Sequence, residues 1–186
     1  MRCLEQMRSV FDVIGAIPYP QREGTMGGKC WTALSEYLLE VYPVQCKEQS
    51  LTVLEIGTKK AMTASVLACY GTVLTVDVRT YDGTQDYLFC IEPEIRNRIT
   101  RLITSNPLAF LREHFREIQF DVVLIDGDHS YEQCKLDTEF ACEHTPVIVW
   151  HDYHEGKFRG VYNAVNECKK TRFMQRENCS LVLGVL

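Results

Sequence analysis

The sequence lacks a C-x-x-C pair: its 9 cysteines stand at positions 3, 30, 46, 69, 90, 134, 142, 168 and 179. An odd count at those spacings supports neither a zinc knuckle nor a disulfide framework, and several fall in apolar patterns where a thiol acts as a small hydrophobe. A reducing, cytoplasmic setting is the expectation. Basic residues are in deficit, 20 Lys and Arg against 25 Asp and Glu, and the net charge of −5 leaves no basic stripe for nucleic acid. No run approaches the ~20 apolar residues of a membrane span. Arg2 and Arg8 precede no uninterrupted apolar core, so the first residues do not read as a secretion signal. The glycines nowhere form G-x-G-x-x-G, and a pyrophosphate needs that close double approach of backbone, which argues against a dinucleotide. Repeats and low-complexity tracts are also missing. The remaining composition, 46% apolar and 24% charged over 186 residues, fits one domain spanning 1–186 with a single substantial core.

The most informative stretch is 120–133, FDVVLIDGDHSYEQ. Val122, Val123, Leu124 and Ile125 have the length and branching of a strand buried on both faces. Asp126, Gly127, Asp128 and His129 follow at once, and Ser130 with Gln133 three residues on has the spacing of a capping box that opens a helix. Two carboxylates and an imidazole thus fall at the carboxyl end of a buried strand, where open α/β sheets bind ligands.

The rest of the chain alternates strand and helix. Leu4, Met7, Phe11 and Ile14 predict an amphipathic helix over 2–14, and the Gly- and Pro-rich 15–28 an irregular loop. A helix over 29–42 follows, with Pro43 just past its end. A strand at 51–56 ends in Gly57 and Thr58, a helix is expected over 59–70 and a second strand over 72–78. Residues 79–98 read as a polar loop with a short helix from Pro93. A weaker strand at 99–104 precedes a helix capped by Asn106 with Pro107 at its first position. After the helix that runs from Ser130 to about 143 come a strand at 146–150, a helix over 160–170, and an antiparallel pair, 171–176 with 180–186, turned at 177–178. This alternation predicts a doubly wound, mostly parallel sheet with helices on both faces and a C-terminal antiparallel hairpin.

Four strand ends then carry polar groups along one sheet edge: Glu55, Gly57 and Thr58; Asp77; Asp126, Asp128 and His129; and His151 with Asp152. Asp77 lies 20 residues after Gly57, the spacing at which a nucleotide-binding unit sets a carboxylate on ribose hydroxyls. A nucleoside without phosphates demands less of the first turn than a dinucleotide does, and S-adenosylmethionine is such a ligand.

In the order and spacing of VLEIGT, LTVDV, FDVVLIDGDHSYE and VIVWHDY, residues 20–186 resemble the class I S-adenosylmethionine-dependent methyltransferases. Within them the chain is most similar to the small metal-dependent O-methyltransferases of the catechol and caffeoyl-CoA type, and to the macrocin O-methyltransferase and cephalosporin-hydroxylase-like group. The resemblance implies a Rossmann-like core over 51–186, preceded by an N-terminal helix and lid loop over 1–28, and O-methylation of a small hydroxylated acceptor. It implies Glu55, Gly57, Thr58 and Thr63 around the methionine part of the cofactor, Asp77 on the ribose, and Ser105 and Asn106 facing the adenine. Asp126 would border the cofactor and match the metal-binding Asp, with His151 and Asp152 completing a site for a divalent ion such as Mg²⁺ or Mn²⁺. His129 would be the general base, where relatives carry a lysine. Ala61 departs from the glycine usual in the first turn, and His151 from the usual oxygen ligand. The expected partner is a small-molecule substrate, with no nucleic acid or membrane, and a homodimer is admissible. Two other readings stay open: a metallohydrolase built on Asp126, Asp128, His129, His151, Asp152 and His154, and a silent S-adenosylmethionine-binding protein.

Overall fold

The computed structural model describes residues 28–80, 88, 91–168, 172–176 and 179–186. The expected helix at 2–14, nearly all of the loop at 15–28, most of the 81–90 segment and the turn at 177–178 lie outside the described residues. Helices α1 (Gly28–Val41) and α2 (Pro43–Glu48) lead into strand β1 (Leu51–Ile56). Then follow α3 (Met62–Leu67), β2 (Gly71–Asp77), α4 (Pro93–Arg96), β3 (Ile99–Ile103) and α5 (Pro107–His114). The chain continues through β4 (Val122–Ile125), α6 (Tyr131–His144), β5 (Val147–Trp150), α7 (Arg159–Glu167), β6 (Arg172–Gln175) and β7 (Val182–Val185). No described helix is long and apolar enough to cross a membrane.

The strands form one seven-stranded sheet in the order β3-β2-β1-β4-β5-β7-β6. β1 through β5 are parallel, whereas β7 runs antiparallel to both β5 and β6. This is the expected Rossmann-like α/β architecture with its closing hairpin. The chain order reverses between β1 and β4, the switch point at which the strand ends open a crevice. All four residues of β4 and all four of β5 are buried, which explains their unbroken apolar runs.

Two apolar layers cover the sheet. On one face Trp31, Leu34, Tyr37 and Leu38 of α1 and Met62, Val66 and Leu67 of α3 pack against Leu51, Val53, Val122 and Leu124. On the other, Leu108 and Leu111 of α5, Phe140 of α6 and Val161 and Val165 of α7 pack against Leu54, Ile56, Val123, Ile125 and Trp150. Inward residues of one strand alternate between these layers, as a pleated strand requires. The buried indole of Trp150 keeps a partner by donating from Nε1 to Thr138 Oγ1 at 2.9 Å.

Several element bounds differ from the sequence expectation, each for a local reason. The helix expected over 59–70 begins only at Met62, because Lys59 and Ala61 adopt φ of 44° and 57°, outside right-handed helix. Pro43 does not merely follow α1: it opens α2 at the position where its missing N–H costs nothing. The capping box ahead of α6 is half formed. Ser130 Oγ accepts from Gln133 N at 3.3 Å, but Ser130 N is taken by Asp128 Oδ1 at 2.6 Å. The Gln133 amide turns along the helix to Asp137 Oδ1 at 2.8 Å.

Candidate active site

The parallel register sets the site. Ile56 lies beside Val76 on one side and Ile125 on the other, and Ile125 beside Trp150. Gly57, Asp77, Asp126 and His151 therefore leave the sheet abreast, each a residue past its strand's shared row. Ladder bonds from Gly57 N to Val76 O (2.9 Å), Asp126 N to Ile56 O (2.8 Å) and His151 N to Ile125 O (3.0 Å) continue that alignment to the ends. A cavity of about 930 Å³ opens above it. Gly57, Thr58, Thr63, Asp77, Ser105 and Asn106 line one part, and Asp126, Asp128, His129, His151 and Asp152 the other.

Gly57 joins the two parts. Its φ is 102°, and a Cβ there would stand 2.2 Å from the carbonyl oxygen of Asp126. Only glycine lets β1 exit at this angle while β4 passes so close. Beside it Asp77, 8% exposed, holds the first turn: its Oδ2 accepts from Lys59 N at 2.8 Å and its Oδ1 from Val78 N at 2.6 Å. Thr58 Oγ1 meets Thr75 Oγ1 at 2.6 Å, below the cavity floor. Asn106 caps α5 by accepting from Ala109 N at 3.0 Å.

Glu55 is placed differently from the other expected cofactor residues. It is 1% exposed, does not line the cavity, and accepts a short hydrogen bond from Thr75 Oγ1. Burial pushes its carboxyl well above the usual range, against the lowering effect of that bond. Glu55 ties β1 to β2 from behind the cavity wall.

The second part is a network of two carboxylates and two imidazoles. His129 Nε2 is 3.0 Å from Asp152 Oδ2 and 4.0 Å from Asp126 Oδ1. His151 Nδ1 is 2.9 Å from Asp126 Oδ1 and 3.5 Å from Asp152 Oδ2. The bond to Asp152 raises the His129 pKa above its ordinary value, outweighing burial. Burial opposes a charge on His151, but hydrogen bonds to Asp126 and Cys30 and both nearby carboxylates prevail, pushing it up to about 10. Burial would raise Asp152, yet His129 and His151 hold it below the usual carboxylate range. Asp152 itself sits at φ 58°, a left-handed conformation that Asp tolerates better than most residues and that aims its carboxylate back toward His129. Asp126, His129 and Asp152 each offer a ligand atom, and these atoms lie within 4.8 Å of one another. A second metal centre is not gathered among the described residues, since His154 Nδ1 accepts from Gly156 N and Lys157 N at 3.2 Å each.

Other lining residues were not singled out by sequence reasoning. Gln133 and Asp137 stand four apart on one face of α6, a spacing that could have exposed them. Burial pushes Asp137 up to about 6, partly offset by the Gln133 amide. Phe158 packs its ring 4.6 Å from that of His129, and Lys157 Nζ lies 4.9 Å over the Phe158 ring. Gly160 permits this: a Cβ there would be 2.3 Å from the His129 carbonyl oxygen, so α7 starts against the His129 turn.

No protein-family model matches the chain, and no curated protein matches it. Solved structures do. CalS11, a TDP-rhamnose 3′-O-methyltransferase of calicheamicin biosynthesis, superposes with a TM-score of 0.61 at 12% identity, over 97% of this chain and 94% of its own. The O-methyltransferase from Bacillus cereus in complex with SAH gives 0.61 at 17%, over 100% and 90%. The MycE methyltransferase of the mycinamycin pathway, in complex with Mg, SAH and mycinamycin VI, gives 0.58 at 15%, over 89% of this chain and 51% of its own length. At these identities the likeness is one of fold: the chain has the architecture of small O-methyltransferases.

Proposed function

We propose that this protein transfers a methyl group from S-adenosylmethionine to an oxygen of a small hydroxylated acceptor. The observation that carries the reading is one cavity lined at one end by Gly57, Thr58, Asp77, Ser105 and Asn106 and at the other by paired acids and imidazoles. Its volume is within the range of ~300–1,000 Å³ common for small-molecule sites. CalS11 and the Bacillus cereus protein are O-methyltransferases and MycE is a methyltransferase, and their shared fold supports the same assignment.

When bound, the cofactor supplies a sulfonium methyl, and a divalent ion supplies a Lewis acid that lowers the pKa of an acceptor hydroxyl. Asp77 would bind the ribose hydroxyls, because a carboxylate that accepts three backbone N–H bonds still has lone-pair capacity left. Ser105 and Asn106 border the adenine end, and Gly57, Thr58 and Thr63 the methionine end. Asp152 fixes the His129 ring through Nε2, which leaves the other ring nitrogen to take the hydroxyl proton. Phe158 shields that imidazole and helps exclude water. Holding acceptor oxygen and methyl in line is then mainly a matter of position.

Asp126 and Asp152, with His151 against both, would hold the ion. This nitrogen-containing set suits Mn²⁺ at least as well as Mg²⁺. One observation favours a variant in which His129 is itself a ligand, namely its place in the group of close ligand atoms. An imidazole bound to a cation through one nitrogen is a much weaker base at the other, so in that variant His129 is not the base. Calorimetry with S-adenosylmethionine, with and without Mg²⁺ or Mn²⁺, tests the assignment. Absence of binding in every condition would overturn it. Methyl transfer to phenolic or polyhydroxylated acceptors that persists in chelator would mean that the ion is dispensable and that His129 suffices as base; its complete loss would mean that the ion is required.

A further inference from the structure

Behind His151, outside the cavity lining, two cysteines from opposite ends of the chain meet. Cys30 lies in the first turn of the 14-residue α1, and Cys179 immediately precedes the segment leading to β7. Their sulfurs are 3.2 Å apart although the residues are 149 positions apart, and Cys179 donates to Cys30. Ser180 Oγ is 3.6 Å from the Cys30 sulfur, and Leu181 N donates to the Cys179 sulfur at 3.3 Å. We propose that Cys30 and Cys179 are a redox modification site that closes to a reversible disulfide in response to a hydroperoxide.

A second pair shows why this one is singled out. Cys142 and Cys168 also bring their sulfurs close, to 3.8 Å. Cys142 lies in the last turn of α6 and Cys168 caps the carboxyl end of α7. Carbonyl ends of helices disfavour an anion, and neither Cys30 nor Cys179 stands at one. Cys30 also receives a thiol hydrogen bond, and the backbone N–H of Leu181 can stabilise negative charge as it develops on Cys179. The first pair is the closer, at 3.2 Å against 3.8 Å, and only the second sits at helix carboxyl ends.

The chemistry balances with one peroxide. The Cys30 sulfur, as thiolate, attacks the outer oxygen of the hydroperoxide; the O–O bond breaks, the other oxygen leaves as an alcohol or water after taking a proton, and Cys30 becomes a sulfenic acid. Cys179 then loses its proton and attacks the Cys30 sulfur; the S–S bond forms, the S–O bond breaks, and water leaves. Two thiols are oxidised by two electrons and the peroxide is reduced by two. The product straps α1 to the β6–β7 hairpin and removes one of the two hydrogen-bond partners of His151, leaving Asp126. The inference does not depend on the methyltransferase assignment.

The test is a time course of the reduced full-length chain with one equivalent of hydrogen peroxide, digested without reductant and read by mass spectrometry. A Cys30–Cys179 cross-linked peptide should appear about tenfold faster than any Cys142–Cys168 peptide, and dithiothreitol should reverse it. In Cys179→Ser, Cys30 should be trapped as a sulfenic acid that labels with dimedone. Formation of the Cys142–Cys168 bond first, or passage of Cys30 to a sulfinic acid without cross-linking, would overturn the proposal. If a variant fails to fold, the wild-type time course still decides.

Discussion

The two ends of the cavity are built by different means. At the proposed nucleoside end, polar side chains are held by the protein's own backbone or by each other beneath the floor: Asp77 by Lys59 N and Val78 N, Asn106 by Ala109 N, Thr58 by Thr75. At the reactive end, charged side chains hold one another, Asp126 with His151 and Asp152 with His129. Backbone partners cannot be exchanged or titrated, so the first end is fixed in shape. Imidazole–carboxylate pairs can give up a proton or yield to a cation, so the second end can change charge. On the proposed function, binding falls to the rigid end and chemistry to the exchangeable one.

The comparison breaks most completely at the residue that joins the ends. Gly57→Ala places a Cβ against the Asp126 backbone at a φ few residues adopt, and is expected to cost on the order of 3 kcal/mol or more. Urea unfolding should show it, together with loss of both cofactor binding and turnover. Less drastic changes should separate the ends. His129→Gln is expected to lower kcat by ~10²–10⁴-fold while the calorimetric Kd for S-adenosylmethionine stays within about twofold. Asp77→Ala should do the reverse, weakening the cofactor by about 1.5–3 kcal/mol with a smaller effect on kcat at saturation. Equal effects of both variants on both quantities would erase the distinction.

A pH series probes the reactive end alone. The folded pKa of His151, about 10, is above its unfolded value of 6.5. Its stabilising contribution is therefore fully present below pH 6.5 and is lost as pH rises toward 10. For chelator-treated protein, the unfolding free energy from urea titrations should fall across that window by an amount on the order of a few kcal/mol, and His151→Gln should flatten the slope. The smallest effect is expected at Ala61, buried at φ 57°. Ala61→Gly relieves that conformation but loosens the unfolded chain, so thermal unfolding should show a gain of less than ~1 kcal/mol.

The sheet and the row of strand ends were legible in the sequence because buried parallel strands announce themselves as short apolar runs and their polar ends interrupt them sharply. Asp126, His129 and Asp152 could be placed together from topology alone. Partners across long separations could not. Nothing local says that Glu55 turns under the floor to Thr75, that His151 bonds Asp126, or that Cys30 reaches Cys179. Left-handed residues at Lys59 and Ala61 were equally hidden, since neither is a glycine and a helical apolar pattern ran through them.

The contact between Gly160 and the His129 carbonyl, with the bond from Tyr153 N to Ser180 O at 2.9 Å, has a consequence for redesign. Residues 153–160 are pinned at both ends to the frame, and Lys157 and Phe158 between the pins face the cavity. The segment is held like a cassette in which, on the proposed function, Lys157 is open to change for another acceptor while Phe158 is tied to His129 by their ring contact.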